Sequence, residues 1–389
     1  MNFMKKINIY SNKDTCGVLA KEDDNHVFSY DSHAKNIVSI TMPLRTQSWI
    51  SRELHPIFQM NLPEGALKER IQEQFSKIMT MDDLSILQLI GPYVIGRIKY
   101  GLPQEQEESI SLNDILENDT NTLFETLMKK YAIRSGISGV QPKMLLDIQN
   151  KSTLISEHYI VKSWGEEYPE LALNEFFCMK ALQYANLQVP EFHLSNNRSM
   201  FIMKRFDIQN DGTFLGFEDG CVLLGKYAHQ KYEASYEDLA KAIKASVRPE
   251  DKKRSLKSLF TTLILSHILG NGDAHLKNFG ILYQHDYTDA MLAPIYDVVC
   301  TTVYIKEDIP ALKMSGGKLW WKEKTYRNFA KNTCQLKTAE IDSIFQLSCN
   351  AVRQTIDDLN IYTQEHPNVS PFAQQLITIW KKGIDTFIL

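Results

Sequence analysis

Apolar and polar positions divide the chain into a strand-rich front and a helical back. Ile7-Asn8-Ile9-Tyr10, Cys16-Gly17-Val18-Leu19-Ala20 and His26-Val27-Phe28-Ser29-Tyr30 are short runs of strand character. The last two flank the polar turn Glu22-Asp23-Asp24-Asn25 and predict a hairpin. Ile37-Val38-Ser39-Ile40 predicts a further strand. A helix is expected from about Ala66 to Ile78, with Glu64 favourable at its positive end. A second helix, Met81 to Ile90, stops at Gly91-Pro92, and a strand from Val94 to Tyr100 follows. Residues 1–103 read as a small α+β module that carries no catalytic set.

Gln104-Glu105-Gln106-Glu107-Glu108-Ser109 has no apolar pattern and reads as an acidic linker, with a helical region from Ser111 to about Tyr131. Strands are expected at Met144 to Ile148, Tyr159 to Val161, Val189 to Leu194 and Met200 to Met203, with a helix from Pro169 to Asn186. From Tyr236 the period becomes helical: Tyr236 to Ala245, Asp251 to Leu269, Thr338 to Leu359 and Pro371 to Leu389. Residues 104–206 thus form a sheet-bearing lobe and residues 207–389 a helical one.

Composition narrows the class. The chain has 389 residues, 43% hydrophobic and 23% charged, as in ordinary globular proteins. The net charge of -4 gives no general attraction to nucleic acid or a membrane surface. Six cysteines are scattered without a C-x-x-C pair, which argues against a zinc site or a disulfide framework and fits a reducing cytosol. The first residues lack an apolar signal core and no window approaches a membrane span, so a cytoplasmic location is expected.

The chemistry centres on Asn271-Gly272-Asp273-Ala274-His275-Leu276-Lys277-Asn278, after the apolar run Leu259 to Gly270. An Asp and an Asn five residues apart, on a loop after a buried helix, have the spacing of a kinase catalytic loop. There the Asp accepts the proton of the attacking hydroxyl and the Asn holds a metal ion. A second carboxylate, Asp297, follows nineteen residues after Asn278 in Pro294-Ile295-Tyr296-Asp297. Hard oxygen ligands of this kind suit Mg²⁺. The plainer alternative is a capping Asp and an unrelated turn Asp.

Upstream, Ser135-Gly136-Ile137-Ser138-Gly139-Val140-Gln141-Pro142-Lys143 is Gly-rich, and its amides could cradle an anion. It is neither a Walker A loop nor a full G-x-G-x-x-G, so a simple Gly turn stays open. Lys162 closes an apolar strand nineteen residues after Lys143, where a kinase phosphate-binding lysine would stand; a surface lysine is the ordinary reading. Glu175 either orients Lys162 or is a solvated helix charge. Lys204-Arg205-Phe206-Asp207 falls where a kinase hinge would. Ala311 to Lys318 is a polar, Gly-ended connection, and Trp320 and Trp321 read as packing residues.

These ordered motifs resemble the HipA family of toxin serine/threonine kinases of type II toxin–antitoxin systems. The resemblance rests on Asn61-Leu62-Pro63-Glu64-Gly65, Ser138 to Lys143, Asn174-Glu175, Met203 to Asp207, Lys231-Tyr232-Glu233, Asn271 to Phe279 and Pro294 to Asp297. It implies a bilobal, protein-kinase-like or lipid-kinase-like α+β fold, with a small N-terminal module and a mostly helical C-terminal lobe. It implies Asp273 as catalytic base and Asn278 and Asp297 as Mg²⁺ ligands. ATP would be bound by Ser138, Gly139, Val140, Gln141 and Lys143 of the loop, and by Lys162. Lys204 and Phe206 would form the hinge, and His275, Lys277, Asn278, Tyr296 and Asp297 would line the nucleotide site. The implied partners are a DNA-binding HipB-like antitoxin, through which alone the chain would meet DNA, and a protein substrate such as an aminoacyl-tRNA synthetase. Family members often carry an autophosphorylated serine where this chain has Gly136, so Ser138 becomes the expected autophosphorylation site, with Ser135 the weaker choice. Two other functions fit the same residues: a small-molecule or lipid kinase, and a partner-binding corepressor with little turnover.

Overall fold

The structure is a computed structural model that describes residues 6–63, 82–91, 94–101, 116, 143–149, 156–163 and 167–387. The expected helix 66–78, the acidic linker and most of the Gly-rich loop lie outside the described residues. The chain divides into two compact units. The first holds residues up to Trp164, then Phe192–Ala228 and Ile281–Ala290, and the second holds Gly165–Glu191, His229–Gly280 and Met291–Leu389.

The first unit opens with an antiparallel sheet of order β4-β3-β2-β1-β5. Its strands are β1 (Lys6–Ser11), β2 (Asp14–Glu22), β3 (Asn25–Tyr30), β4 (Trp49–Ser51) and β5 (Ile98–Lys99). The alternation in β1 buries Ile7 and Ile9 and leaves Lys6 and Asn8 outside, as period-two patterning requires. Glu22 pairs with Asn25, so the predicted hairpin forms at the expected turn. Helix α1 (Pro56–Gln59) brings Phe58 edge-on against Phe28, with centroids 5.6 Å apart, and against Tyr100 at 6.1 Å. Helix α2 (Asp83–Ile90) starts where the Asp82 carboxylate accepts from the Ser85 amide at 2.9 Å.

Two expected strands are not formed as read. Ile37 to Ile40 makes only an isolated bridge, Ser39 to Met42, and the fourth strand is Trp49–Ser51 instead. The reason is a competing acceptor. The Ile40 amide and the Ser39 hydroxyl both donate to the buried Glu218 carboxylate, at 2.8 and 2.9 Å, so the segment turns toward that charge rather than lying along a ladder. The strand expected from Val94 to Tyr100 shrinks to Ile98–Lys99. Gly96 has φ +81 and gives its amide to Asp207 at 2.6 Å.

A second antiparallel sheet has the order β6-β7-β9-β8, from Lys143–Gln149, Ser156–Ser163, Met200–Lys204 and, for β8, Phe192–Leu194. Strands β10 (Gly216–Asp219) and β11 (Gly280–Tyr283) pair beside one another. A buried polar cluster ties these parts to the front sheet. Arg97 donates to the carbonyls of Ile37, Gln284 and His285, and its guanidinium lies 4.7 Å from the Tyr283 ring centroid. Tyr283 donates its hydroxyl to Glu218 at 2.5 Å. Arg205 and Asp207 form a buried ion pair beside Lys99.

The second unit is helical. Helices α3 (Leu171–Tyr184), α4 (Tyr236–Ser246), α5 (Lys252–Leu269), α6 (Glu323–Asn332), α7 (Thr338–Glu365) and α8 (Ser370–Asp385) build it. Helix α5 is the central one and packs against α4, α7 and α8. Its apolar stretch is buried from Leu259 to Ile264, and Phe260 stacks on Phe329 and meets Phe345 edge-on. Ser235 caps α4 in a reciprocal box with Asp238. Helix α6 was not expected from the sequence, because only Tyr326, Phe329 and Ala330 are buried in a polar run.

Burial raises the Glu218 carboxyl to about 7, against hydrogen bonds from Tyr283, Ile40 and Ser39 that favour its charge. A raised folded-state value makes this group stabilising below its ordinary value and costly as the pH rises toward 7. Thermal unfolding should therefore show the wild type losing stability relative to Glu218→Gln between pH 5 and 7, by about 1.4 kcal/mol per pH unit at most. A difference that stays constant over that range would contradict this.

Candidate active site

Helix α5 delivers the loop. It ends at Gly270, whose φ of +70 is the left-handed cap that glycine takes without penalty. The Asn271 amide closes back on the Ser266 carbonyl at 2.8 Å. The Gly270 carbonyl then accepts from the amides of Thr301 and Thr302, at 3.0 and 3.2 Å, and from the Thr302 hydroxyl at 3.2 Å. A Cβ on Gly270 would stand 2.2 Å from that hydroxyl oxygen. Gly272 gives its amide to the Thr301 hydroxyl at 2.7 Å, and that hydroxyl in turn bonds Asp308. A Cβ on Gly272 would fall 2.1 Å from the Asp308 carboxylate.

Asp273 follows in a local turn, its amide donating to the Asn271 side chain at 3.0 Å. Its carbonyl accepts from the His275 amide and from the Asn278 side-chain amide, each at 2.8 Å. The same Asn278 nitrogen lies 3.4 Å from the carbonyl of Asp297. Asn278 therefore ties the two acidic positions together through their backbones, and its side-chain oxygen is the atom that could hold a cation. Asp297 has φ +61, a left-handed backbone uncommon outside glycine and tolerated best by Asp and Asn. The segment around it is pinned. Ile295 donates to the Gln188 carbonyl at 2.8 Å, Tyr296 donates its hydroxyl to Lys277 at 2.8 Å, and Asn174 of α3 brackets Cys300 with two bonds at 2.9 and 3.0 Å.

Tyr232 completes the surroundings. Its hydroxyl donates to Asp273 Oδ1 at 2.9 Å, and its ring meets His275 edge-on at 5.2 Å. His275 Nε2 lies 3.9 Å from the same carboxylate. The Leu276 amide donates to the Lys231 carbonyl at 3.2 Å, and Tyr236 donates to Ala274 at 3.0 Å, so the loop is held from its flank. The Asp273 side chain keeps 46% of its surface in solvent, yet the protein crowded around it excludes bulk water on the remaining sides. Desolvation raises its carboxyl to about 6; the Tyr232 bond and Lys231 oppose the rise, and Asp297 and Asp308 add to it. Burial, helped by Lys231, drops His275 to about 3, so its ring is neutral; its Nδ1 has no hydrogen-bond partner among the described residues.

The structure brings Asp273, His275, Lys277, Asn278, Tyr296 and Asp297 together in the second unit. Lys162, Lys204 and Phe206 belong to the first unit. Lys162 is buried on β7, opposite Lys143 and Phe201, which departs from the surface-lysine reading. Lys204 ends β9 opposite Tyr159, and Phe206 packs edge-on against Phe217 at 5.7 Å. Glu175 is fully buried on α3 and so is no solvated helix charge. Ser135, Gly136, Ser138, Gly139, Val140 and Gln141 lie outside the described residues, and of Lys143 only the backbone in β6 is described. Sequence reasoning missed the roles of Tyr232, Thr301 and Asp308, which reach the loop from other parts of the chain. Only the Lys231-Tyr232-Glu233 motif hinted at the first.

The tight approach at Gly272 gives a direct test. Gly272→Ala should lower stability by about 1–3 kcal/mol through the clash with Asp308. In the double variant with Asp308→Ala, thermal unfolding should recover part of that loss. Equal losses in the single and double variants would show that the two positions do not meet.

The geometry agrees with what the chain resembles. The HipA-like C-terminal domain matches residues 135–356, and the HipA N-terminal domain matches residues 7–101. A Haemophilus influenzae protein named as a kinase is 33% identical over 185 residues, 43% of this chain and 53% of that protein. The match therefore spans about half of that relative. A Sinorhizobium fredii protein, named kinase Y4dM, is 24% identical over 83% of this chain and 80% of its own length. Among solved structures, a chain of the Shewanella oneidensis toxin–antitoxin complex of HipA, HipB and operator DNA matches with a TM-score of 0.73 and 19% identity, covering 98% of both chains. The C-terminal match alone takes in more than half of the residues, and with the N-terminal match and the shared fold it places this chain in the HipA family.

Proposed function

We propose that the chain is a kinase that moves the γ-phosphoryl group of ATP to a serine or threonine hydroxyl of a protein. One observation carries the reading: Asn278 bridges the backbones of Asp273 and Asp297, which gathers a base and two hard-oxygen ligands at the end of one buried helix. In this reading Asp273 accepts the proton of the attacking hydroxyl as the new O–P bond forms and the bond from the γ-phosphorus to the β–γ bridging oxygen breaks, leaving ADP. Its carboxylate is half exposed, as a base that must meet a macromolecular acceptor requires.

The donor set fits a divalent cation such as Mg²⁺, because Asn278 spends its amide nitrogen on protein carbonyls and Asp297 carries a carboxylate on a pinned, strained backbone. Asn278 and Asp297 would hold it, and when bound it neutralises phosphate charge. Lys162 takes the phosphates, Ser138 to Lys143 form the loop over them, and Lys204 to Phe206 form the hinge. His275, Lys277 and Tyr296 line the nucleotide site, His275 as a neutral ring.

The biological role we assign is that of a toxin held in check by a HipB-like antitoxin, with DNA reached through that partner and an aminoacyl-tRNA synthetase as the acceptor class. The related Shewanella chain is found with HipB and operator DNA, and the net charge of -4 here gives no independent pull toward DNA. Ser138 would limit the activity, since a phosphate there adds about two negative charges where ATP phosphates must sit.

Induced expression of the wild type in a bacterium should arrest growth and place a new phosphate on one host protein, whereas Asp273→Asn should do neither. Arrest that survives Asp273→Asn would favour a binding corepressor. Absence of any protein phosphate, even from Ser138→Ala, would favour a small-molecule kinase. Phosphopeptide mapping of the purified chain after incubation with ATP should find Ser138 modified, and an unmodified Ser138 would remove the self-limiting step.

A further inference from the structure

The helical unit also contains a concave site whose lining does not include Asp273. A groove of about 740 Å³ lies among the end of α5, the 302–306 turn, the Trp320-Trp321 pair and α8. Its size falls within the range of small-molecule sites. Two glycines shape its floor. Gly383 of α8 lies against the backbone of α5, where a Cβ would stand 2.3 Å from the Ile268 carbonyl oxygen. Gly270 lacks the side chain that would meet both Thr302 and Ile379.

The lining has a definite chemistry. Trp320, Trp321 and His267 present aromatic surface, and the Trp320 ring lies edge-on to His267 at 5.4 Å. Lys306, Lys322 and Lys382 supply three cations, and no acidic side chain lines the groove among the described residues. None of these lysines takes part in an ion pair among the described residues. Trp321 is 4% exposed, and its indole N–H finds no acceptor among the described residues. A buried donor without an acceptor is uncommon in folded proteins; here it lies beneath the surface that lines the groove.

We infer that this groove binds a small anion that carries an aromatic ring, the ring against the tryptophans and the anionic group among Lys306, Lys322 and Lys382. A free inorganic anion would leave the aromatic surface unused, and a neutral aromatic would make no use of the three exposed lysines. The site also reaches the catalytic loop. Gly270 and Thr302 line the groove, and the Thr302 hydroxyl and amide hold the Gly270 carbonyl, three residues before Asp273. Occupancy therefore alters phosphoryl transfer, a consequence that rests on the kinase reading given above.

The test uses 1-naphthyl phosphate and the full chain, with saturating ADP present so that the nucleotide site is filled. Isothermal titration should give saturable binding with a Kd at or below about 1 mM, the range open to a ligand of that size. Lys306→Glu/Lys382→Glu should weaken it roughly tenfold or more by reversing two of the three charges. Thr378→Trp, which fills the groove from α8, should abolish it, and circular dichroism of both variants would confirm folding. Inorganic phosphate should not bind measurably. No saturation in the wild type, equal affinity in the variants, or equal binding of inorganic phosphate would overturn the site. Turnover should change at least twofold with the probe in the wild type and stay unchanged in Thr378→Trp. Binding without that change would overturn the coupling but leave the site. Because the titration needs no activity, failure of the kinase reading leaves this result standing.

Discussion

The carbonyl of Gly270 is the hinge of the site. It is an orphan acceptor at the end of a buried helix, and three donors from Thr301 and Thr302 satisfy it. That arrangement exists only because residue 270 turns left-handed and has no side chain where Thr302 stands. One backbone oxygen thus fixes the exit of α5, the entry of the catalytic loop and the turn that follows Asp297. The rigidity of the loop is borrowed from the packing of α5, whose Leu259, Phe260, Ile264 and Leu265 are fully buried. A site that must place a base to within a fraction of an ångström is well served by a helix that cannot move without opening the core.

Around that frame, electrostatics sets the cost. Desolvation raises the tendency of Asp273 to hold a proton, and the nearby charges of Asp297 and Asp308 add to it. The fold offsets the strain with Tyr232 and Lys231 on Asp273 and with the Thr301 hydroxyl on Asp308. It does not remove it. A raised carboxyl at Asp273, beside Asp297 on an uncommon backbone conformation, is the kind of tension that the proposed cation site would hold. Positions that are merely structural would be expected to relax.

Much of this was legible in the sequence, and the failures have physical causes. The apolar run ending in Gly270 announced a buried helix, and the Asp273, Asn278 and Asp297 spacing announced three residues that the structure joins by hydrogen bonds, because both are local or nearly local patterns. The first hairpin was legible because its alternation and its polar turn agree. Ile37 to Ile40 misled because its amide and hydroxyl donors serve Glu218, a residue far along the chain. Val94 to Tyr100 was broken by Gly96 turning to Asp207, again a distant partner. Tyr232 was only hinted at by the Lys231-Tyr232-Glu233 motif and Asp308 was invisible, because neither lies within the loop it supports. Periodicity reports which face is buried; it carries no record of which distant carboxylate will claim a backbone amide.

The proposed chemistry depends on Asp273 as the base of a phosphoryl transfer. The most direct measurement is single-turnover transfer of the γ-phosphoryl of radiolabelled ATP, with Mg²⁺, from purified wild type and Asp273→Asn to protein in a bacterial lysate. The wild type should label a discrete protein band, and the variant should lose on the order of 10³-fold in rate while still binding ATP. Equal labelling by both, or none by either despite ATP binding, would contradict the assignment.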